Sequence, residues 1–341
     1  MIHKIIISGD FEFSSPRSFK KVTEMYQHRC ENYYKSDVLL VLDEFLDQEN
    51  LVLKVPRLIT KGNDKSWRNT VSLIQFVAQY AISGSMSLWM VETGKVLKQE
   101  HIEPKSDKVA IQSFLKGREL TEERGKETEA MESLTKAIQK FERHSRAYEK
   151  RGYVNYILNN FDDAIYDYTR SLEINPNHAQ AYYGRALVHI VREEYDNAIV
   201  DLEMASKRSI PLQPIYWAAR RMKSECHLAI EDFSGAAREL KFFTDKVFDK
   251  ENPNYKWRKK AYLDYGKALL SLKEFDKALD CFKCGLDIEK IREKDDQFNA
   301  DIVFYRGMTL KEAGKDGFQK DIREAASMGS KKAEEVLETI S

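Results

Sequence analysis

The sequence predicts an α+β domain over residues 1–104, followed by an all-α solenoid of helical hairpins over residues 105–341. Two observations predict this division. Before Pro104, apolar segments of strand length alternate with two helix-length segments. After Pro104, helix-length phrases return with a period of about 34 residues, which is typical of stacked helical hairpins. A chain of 341 residues is long enough for each part to bury its own core.

The first part contains the following segments in order. Strands are predicted at "HKIIISGDFEF" and "ENLVLKVP", helices at "SPRSFKKVTEMYQHRCENYY" and "SWRNTVSLIQFVAQYA", and a hairpin with turn "ETGK" at "MSLWMVETGKVLKQEHI". "DVLLVLDEFL" is an unbroken apolar run without a decisive period, so it stays ambiguous between helix and strand. These segments predict a small, mainly antiparallel sheet with helices on one face, and we recognise no family in this part.

In the second part, alanines mark the period. Ala130, Ala164 and Ala198 are each 34 residues apart, and Ala236 and Ala278 follow at longer intervals. Large side chains stand four residues after these alanines, and a second helix carries a small residue twelve positions before four of them: Gly152, Ala186, Ser224 and Gly266, with Arg118 as the exception. Helices that touch need small residues where they cross, so each period predicts one packed helix pair.

The segment "RAYEKRGYVNYILNNFDDAIYDYTRSLEINP" resembles a tetratricopeptide repeat (TPR), and the resemblance covers residues ~108–341. Five units can be placed at about 111–144, 145–178, 179–214, 217–258 and 259–296, with a weaker sixth unit over about 300–341 that ends in a capping helix. The resemblance implies a superhelix whose concave groove, lined by the first helix of each unit, binds a protein or peptide.

The resemblance also implies which residues line that groove, and they are suited to an extended or helical peptide. They are Arg146, Glu149, Lys150, Tyr153, Tyr156 and Ile157 in unit two, Gln180, Tyr183, Gly184, Leu187, Ile190 and Val191 in unit three, and Arg221, Met222 and Glu225 in unit four. Leu187 and Ile190 are equally consistent with contacts between neighbouring units.

Some relatives hold the terminal carboxylate of heat-shock chaperones with a clamp of basic and amide side chains. Arg146 and Lys150 match one half of that clamp. Leu115 and Glu119 occupy the places of the other half, so binding of that chaperone tail is disfavoured.

Candidate chemistry is confined to two acidic clusters near the amino terminus. They are Asp10 with Glu12, and Asp43 with Glu44 and Asp47. Paired carboxylates can hold a metal or act in acid–base chemistry, but no histidine or glycine signature accompanies these. We therefore expect no catalytic residue, cofactor or metal. An enzymatic or ligand-sensing amino-terminal domain, with the repeats as its targeting arm, stays open as the alternative.

The basic stretch "NYKWRKKAY", with Lys256 to Lys260, has the ingredients of a nucleic-acid patch. Lys plus Arg equals Asp plus Glu, at 55 each, so no global charge favours nucleic acid or an anionic membrane, and we expect neither as a partner. Cys281 and Cys284 form an isolated CxxC, which we expect to pack in the core.

The leading hypothesis is a non-catalytic adaptor that binds a protein or peptide partner. Four cysteines in 341 residues make no disulfide framework, and no run of 18 apolar residues or signal peptide is apparent. We therefore expect a cytoplasmic protein that does not insert into membranes, and a homo-oligomer stays open.

Overall fold

The computed structural model describes residues 1–93, 95–105 and 108–340, apart from the side chains of Asp43 and Ile340. The chain forms two compact units, Met1–Gly184 and the residues from Arg185 onward. Gly94 of the predicted hairpin turn lies outside the described residues. The predicted boundary between residues 104 and 105 stays a prediction.

The first unit begins with a five-stranded antiparallel sheet of strand order β2-β3-β1-β4-β5. Its strands are β1 (His3–Glu12), β2 (Leu46–Asp47), β3 (Val52–Gly62), β4 (Ser83–Glu92) and β5 (Lys95–Ile102), and its helices are α1 (Pro16–Asn32) and α2 (Asp64–Ala78). The predicted sheet and both predicted helices are therefore confirmed. The ambiguous apolar segment contains a 3₁₀ turn at Leu42–Glu44 and the two-residue strand β2.

The two helices pack on one face of the sheet. Successive side chains of β1 point to opposite faces, so every second side chain meets the helices. Ile5, Ile7 and Phe11 are fully buried in the core shared with α1 and α2. Asp10 and Glu12 therefore point to the opposite face. Ser15 and Asn63 start the two helices through capping boxes, in which side chain and backbone satisfy each other's hydrogen bonds.

Gly9 lets β1 approach β4 closely. Its φ is +144°, and a Cβ built on it would lie 2.1 Å from the carbonyl oxygen of Ser85. The β1–β3 register shifts between Ile7 and Gly9, and Pro56 lies at the same place in β3. Gly9, which has no side chain, therefore stands where the backbones of two strands approach closely. This is a common role of glycine in a strand.

After the sheet, helices continue along the rest of the first unit and through the second. They are α3 (Val109–Leu120), α4 (Glu127–Lys140), α5 (Ser145–Ile157), α6 (Phe161–Ile174), α7 (Ala179–Val191), α8 (Tyr195–Lys207), α9 (Pro214–Ala229), α10 (Phe233–Thr244), α11 (Arg258–Ser271), α12 (Phe275–Asp287), α13 (Lys294–Glu312), α14 (Phe318–Ser327) and α15 (Lys331–Ile340). Consecutive helices pack together as hairpins. In the first unit these are α3 with α4 and α5 with α6, and in the second unit they are α9 with α10, α11 with α12 and α13 with α14. The predicted helical solenoid is confirmed.

Small residues lie at the helix crossings, as the spacing predicts. A Cβ on Gly266 would lie 2.3 Å from the ring of Phe282, so only a glycine fits there. In the first hairpin, Gly117 rather than Arg118 occupies the crossing, where its Cβ would lie 2.7 Å from Leu134 Cγ. The spacing misses this residue because the connection from α3 to α4 is longer than the later ones.

Candidate functional site

The predicted groove residues of α5 differ in exposure. Tyr153 is 37% exposed and Ile157 is 40% exposed, whereas Glu149 is 7% exposed. The ammonium group of Lys150 lies 5.9 Å from the centre of the Tyr153 ring and 3.6 Å from a Glu149 carboxylate oxygen. Tyr156 is half-buried. The outer part of α5 therefore offers an aromatic and aliphatic surface with a cation beside it.

Arg146 has a different environment. Its guanidinium Nη1 donates to Glu103 Oε1 at 2.8 Å, and Nη2 donates to the hydroxyl of Ser85. Glu103, just after β5, also accepts from Arg118 Nη1 at 2.8 Å. Burial alone would raise the pKa of Glu103, but the hydrogen bonds from His101 and Arg118 and the nearby arginine charges hold it below its usual range. Arg146 thus joins the sheet to the second hairpin.

The predicted residues at the start of α7 also have separate environments. Gln180 is exposed and Tyr183 is half-buried. Gly184 is buried, and a Cβ there would lie 2.4 Å from the Tyr168 ring. The same ring lies 3.2 Å from a Cβ built on Gly152, so both glycines make room for Tyr168.

In the second unit, the predicted residues of α9 are engaged with their neighbours. Arg221 is 7% exposed, donates to Glu225 Oε1 at 2.6 Å and lies 4.1 Å from the centre of the Trp257 ring. The same oxygen of Glu225 also lies 3.2 Å from the ammonium nitrogen of Lys260. Leu187 on α7 is half-buried. Whether these positions bind a partner stays a prediction.

The second face of the sheet meets the first hairpins at a polar surface, which we call the sheet–repeat junction. It consists of Asp10, Glu12, Ser83, Ser85 and Glu103 on the sheet side, and His144, Ser145, Arg146 and Asn175 on the helical side. Asp10 Oδ2 accepts from Asn175 Nδ2 at 2.7 Å, and Glu12 Oε1 accepts from Ser145 Oγ at 3.2 Å. Residues from four separate sequence regions, 10–12, 83–103, 144–146 and 175, therefore form this surface.

Burial dominates the electrostatics of the junction. Burial, with the neighbouring charge of Asp10, raises the pKa of Glu12 to about 8. Burial also raises the pKa of Asp10, against the attraction of Arg146. Burial and the charge of Arg146 lower the pKa of His144 to about 3, so this imidazole is neutral at physiological pH. A buried carboxyl that keeps its proton near neutrality is a feature that sequence spacing could not reveal.

The first unit contains a cleft that is lined by Asp10 and Glu12. Of the second predicted acidic cluster, Asp47 also lines this cleft. Glu44 is exposed and does not line it, and the Asp43 side chain lies outside the described residues. In the described part of the chain, no group of three or more His, Cys, Asp or Glu residues could hold a metal ion.

The family model described as tetratricopeptide repeat matches residues 145–178, which comprise α5 and α6. The hairpin of α5 and α6 therefore has the sequence pattern of a tetratricopeptide repeat. Among solved structures, the chain is similar to YrrB, described as a TPR protein with an unusual peptide-binding site, with a TM-score of 0.50 and 20% identity over 58% of this chain and 93% of YrrB. PilF from Pseudomonas aeruginosa gives a TM-score of 0.51 and 14% identity over 68% of this chain and 98% of PilF. These likenesses show the fold, and the comparison with curated proteins gave no match.

A repeated ion pair joins the two helices of several of the helical hairpins. Arg151 donates to both carboxylate oxygens of Asp167 at 2.7 and 2.9 Å. The equivalent pairs are Arg185 with Asp201, Lys223 with Glu239, and Arg306 with Asp321. This pair was not predicted from the sequence, although a basic residue directly precedes the small crossing residue in each case and could have indicated it.

In the hairpin of α11 and α12, Tyr265 and Cys281 stand at the positions of that pair and pack in one apolar cluster. Burial raises the pKa of the Cys281 thiol to about 12, which makes it unreactive. Cys284 is exposed, so the expectation that both cysteines of the CxxC pack in the core is wrong for Cys284. The i, i+3 spacing places both on a similar side of α12, but Cys284 falls at the edge of the buried stripe.

The basic stretch at the start of α11 is largely engaged within the protein. Lys259 is 2% exposed, and its ammonium donates to Asn299 at 2.7 Å and to a backbone carbonyl. Lys260 donates to Asp264 at 2.6 Å. The Arg258 guanidinium stacks 3.7 Å from the centre of the Tyr255 ring. These contacts engage Arg258, Lys259 and Lys260 within the protein, and whether the stretch binds an anion stays a prediction.

None of the helices in the described ranges is long and apolar enough to cross a membrane.

Proposed function

We propose that the chain is a non-catalytic interaction adaptor, in which the TPR array binds a peptide or helix of a protein partner. The observation that carries this proposal is the surface of α5, where Tyr153 and Ile157 are exposed and the cation of Lys150 lies over the Tyr153 ring. Surface aromatic and aliphatic groups with an adjacent charge are typical of peptide-binding grooves. YrrB, which shares the fold, is itself described as having a peptide-binding site.

Within the first unit, the exposed groove positions are the ones we propose to contact the partner. They are Tyr153 and Gln180, together with the half-buried Lys150 beside Tyr153. The other three predicted positions contact residues next to this surface. Arg146 pairs with Glu103, Glu149 lies beside Lys150, and Gly184 packs against Tyr168. In the second unit, Leu187, Arg221 and Glu225 remain predicted contacts.

A matched pair of variants tests this assignment. We would capture partners from native cells with the wild type, with Tyr153→Ala/Gln180→Ala, and with Tyr166→Ala, and compare the retained proteins by mass spectrometry. Tyr166 is 58% exposed on α6, the second helix of the same hairpin, so it controls for loss of a surface aromatic. A partner lost only with the first variant supports the proposal. Identical protein sets from folded variants would refute the groove assignment.

We also propose that the protein resides in the cytoplasm, since Cys30, Cys226, Cys281 and Cys284 are all free thiols. Cell fractionation tests this placement. Ligand sensing by the amino-terminal domain is a second candidate function, favoured by the convergence of Asp10, Glu12 and Asp47 on one cleft.

A further inference from the structure

The first unit contains a cleft of about 280 Å³ beside the sheet–repeat junction. It lies between strands β1 and β3, the loop before α5 and the turn that follows α6. Its charged lining residues are Asp10, Glu12, Asp47, Glu173, Lys54 and Arg143. With every group ionised, four carboxylates and two cations leave an excess of two negative charges (−4 + 2 = −2).

Glu12 lies at the buried side of this cleft. Its side chain is 5% exposed, and Oε1 accepts from Ser145. Its second oxygen, Oε2, is buried and has no hydrogen-bond partner among the described residues. A buried acceptor without a partner is costly, so a donor that reaches Oε2 stabilises the folded protein. Asp10, by contrast, already accepts from Asn175.

We propose that this cleft binds a small aliphatic diamine or polyamine, with one primary ammonium group paired to Glu12. A primary ammonium carries three donors and one charge, which suits an unpartnered carboxylate oxygen. Two such groups match the excess of two negative charges that the lining carries once Asp10 and Glu12 are ionised. Val52 and Ile174 also line the cleft and offer apolar contact for the methylene chain. The net negative lining disfavours a ligand that carries a carboxylate of its own.

Such a ligand would contact the sheet and the TPR hairpins together. Asp10, Glu12 and Lys54 belong to strands, whereas Arg143 and Glu173 belong to the helical array. Binding would therefore stabilise the first unit against unfolding by mass action. This role goes beyond partner binding on α5 and does not depend on it.

The affinity should depend on pH, because the ammonium must replace the proton of Glu12. The charged groups around Glu12 are Asp10 on β1, Asp47 on β2, Lys54 on β3, and Arg143 before α5, with Glu173 at the end of α6. With the pKa of Glu12 raised to about 8, binding at neutral pH releases a proton and strengthens as the pH rises toward 8.5.

Titration calorimetry of the full chain tests the proposal, with putrescine as the probe and glycine and magnesium chloride as competing chemistries. Buffers of different ionisation enthalpy report the protons released. The variants are Glu12→Gln, Asp47→Asn and the control Glu44→Gln, whose exposed carboxylate lies outside the cleft. We expect putrescine to bind the wild type and the control, with at least about tenfold weaker binding to the other two variants.

Proton release should also disappear in Glu12→Gln while the variant keeps its helical circular dichroism. Three results would each overturn the proposal. The first is equal affinity for putrescine among the wild type, Glu12→Gln and Asp47→Asn. The second is tighter binding of glycine or magnesium than of putrescine. The third is no calorimetric or thermal-shift response at roughly 10 mM putrescine.

Discussion

Replacing Glu12 by Gln should change how the stability of the protein depends on pH. The pKa of Glu12 rises from 4.5 to about 8 in the folded protein, chiefly through burial. In the unfolded chain this carboxyl ionises near pH 4.5, while in the folded protein it keeps its proton. The folded wild type therefore loses stability as the pH rises from about 4.5 to 8, and the loss is complete above pH 8.

The magnitude follows from the shift. A difference of 8 − 4.5 = 3.5 pH units corresponds to about 5 kcal/mol at most. The neutral amide of Gln has the shape of the protonated carboxyl but does not titrate. We expect the variant and the wild type to be similarly stable near pH 4.5, and the variant to be more stable by about 2–5 kcal/mol at pH 8.5.

Urea unfolding followed by circular dichroism at pH 5, 6.5 and 8.5 measures these differences. The Glu44→Gln variant controls for loss of an exposed carboxylate elsewhere in the same domain. A difference between Glu12→Gln and wild type that does not grow with pH would refute the argument that Glu12 is protonated in the fold.

Three further changes have expected outcomes. Gly184→Ala places a Cβ 2.4 Å from the Tyr168 ring and should cost about 1–3 kcal/mol, measured by thermal unfolding; an unchanged melting temperature would contradict this crowding. Asp167→Ala leaves the Arg151 guanidinium without its carboxylate and should cost about 3 kcal/mol in urea unfolding, and the Arg151→Met/Asp167→Leu double variant should recover most of it. Lys273→Gly relieves a non-glycine φ of +61° and should stabilise by about 0.5–1 kcal/mol in the same assay; unchanged or lower stability would contradict the backbone strain.

The repeat architecture could be predicted from sequence because its signals are local and recur. Ala164 and Gly152 are twelve residues apart, and both lie at one helix crossing in the structure. The amino-terminal sheet was also predictable, since β1 contains three consecutive β-branched isoleucines in a short apolar segment. The apolar run before β2 gave no decisive period, and it forms only a short turn and a two-residue strand.

The sheet–repeat junction could not be predicted, because it depends on segments far apart in the chain. Glu103 and Arg146 are 43 residues apart, and Asp10 and Asn175 are 165 apart. No periodic pattern links these positions. Exposure likewise depends on tertiary packing, which is why the resemblance placed Arg146 and Tyr153 together in the groove although only Tyr153 is substantially exposed.

The contacts of Glu103 have a consequence for how this array can change in evolution. One carboxylate holds Arg118 of the first hairpin and Arg146 of the second, so the spacing between these hairpins is tied to the sheet. Duplication or deletion of a hairpin at this end would separate the carboxylate from one of its arginines. Gains and losses of repeats are therefore expected at the carboxyl-terminal end, so that homologues should differ in length there while keeping the first two hairpins in fixed number.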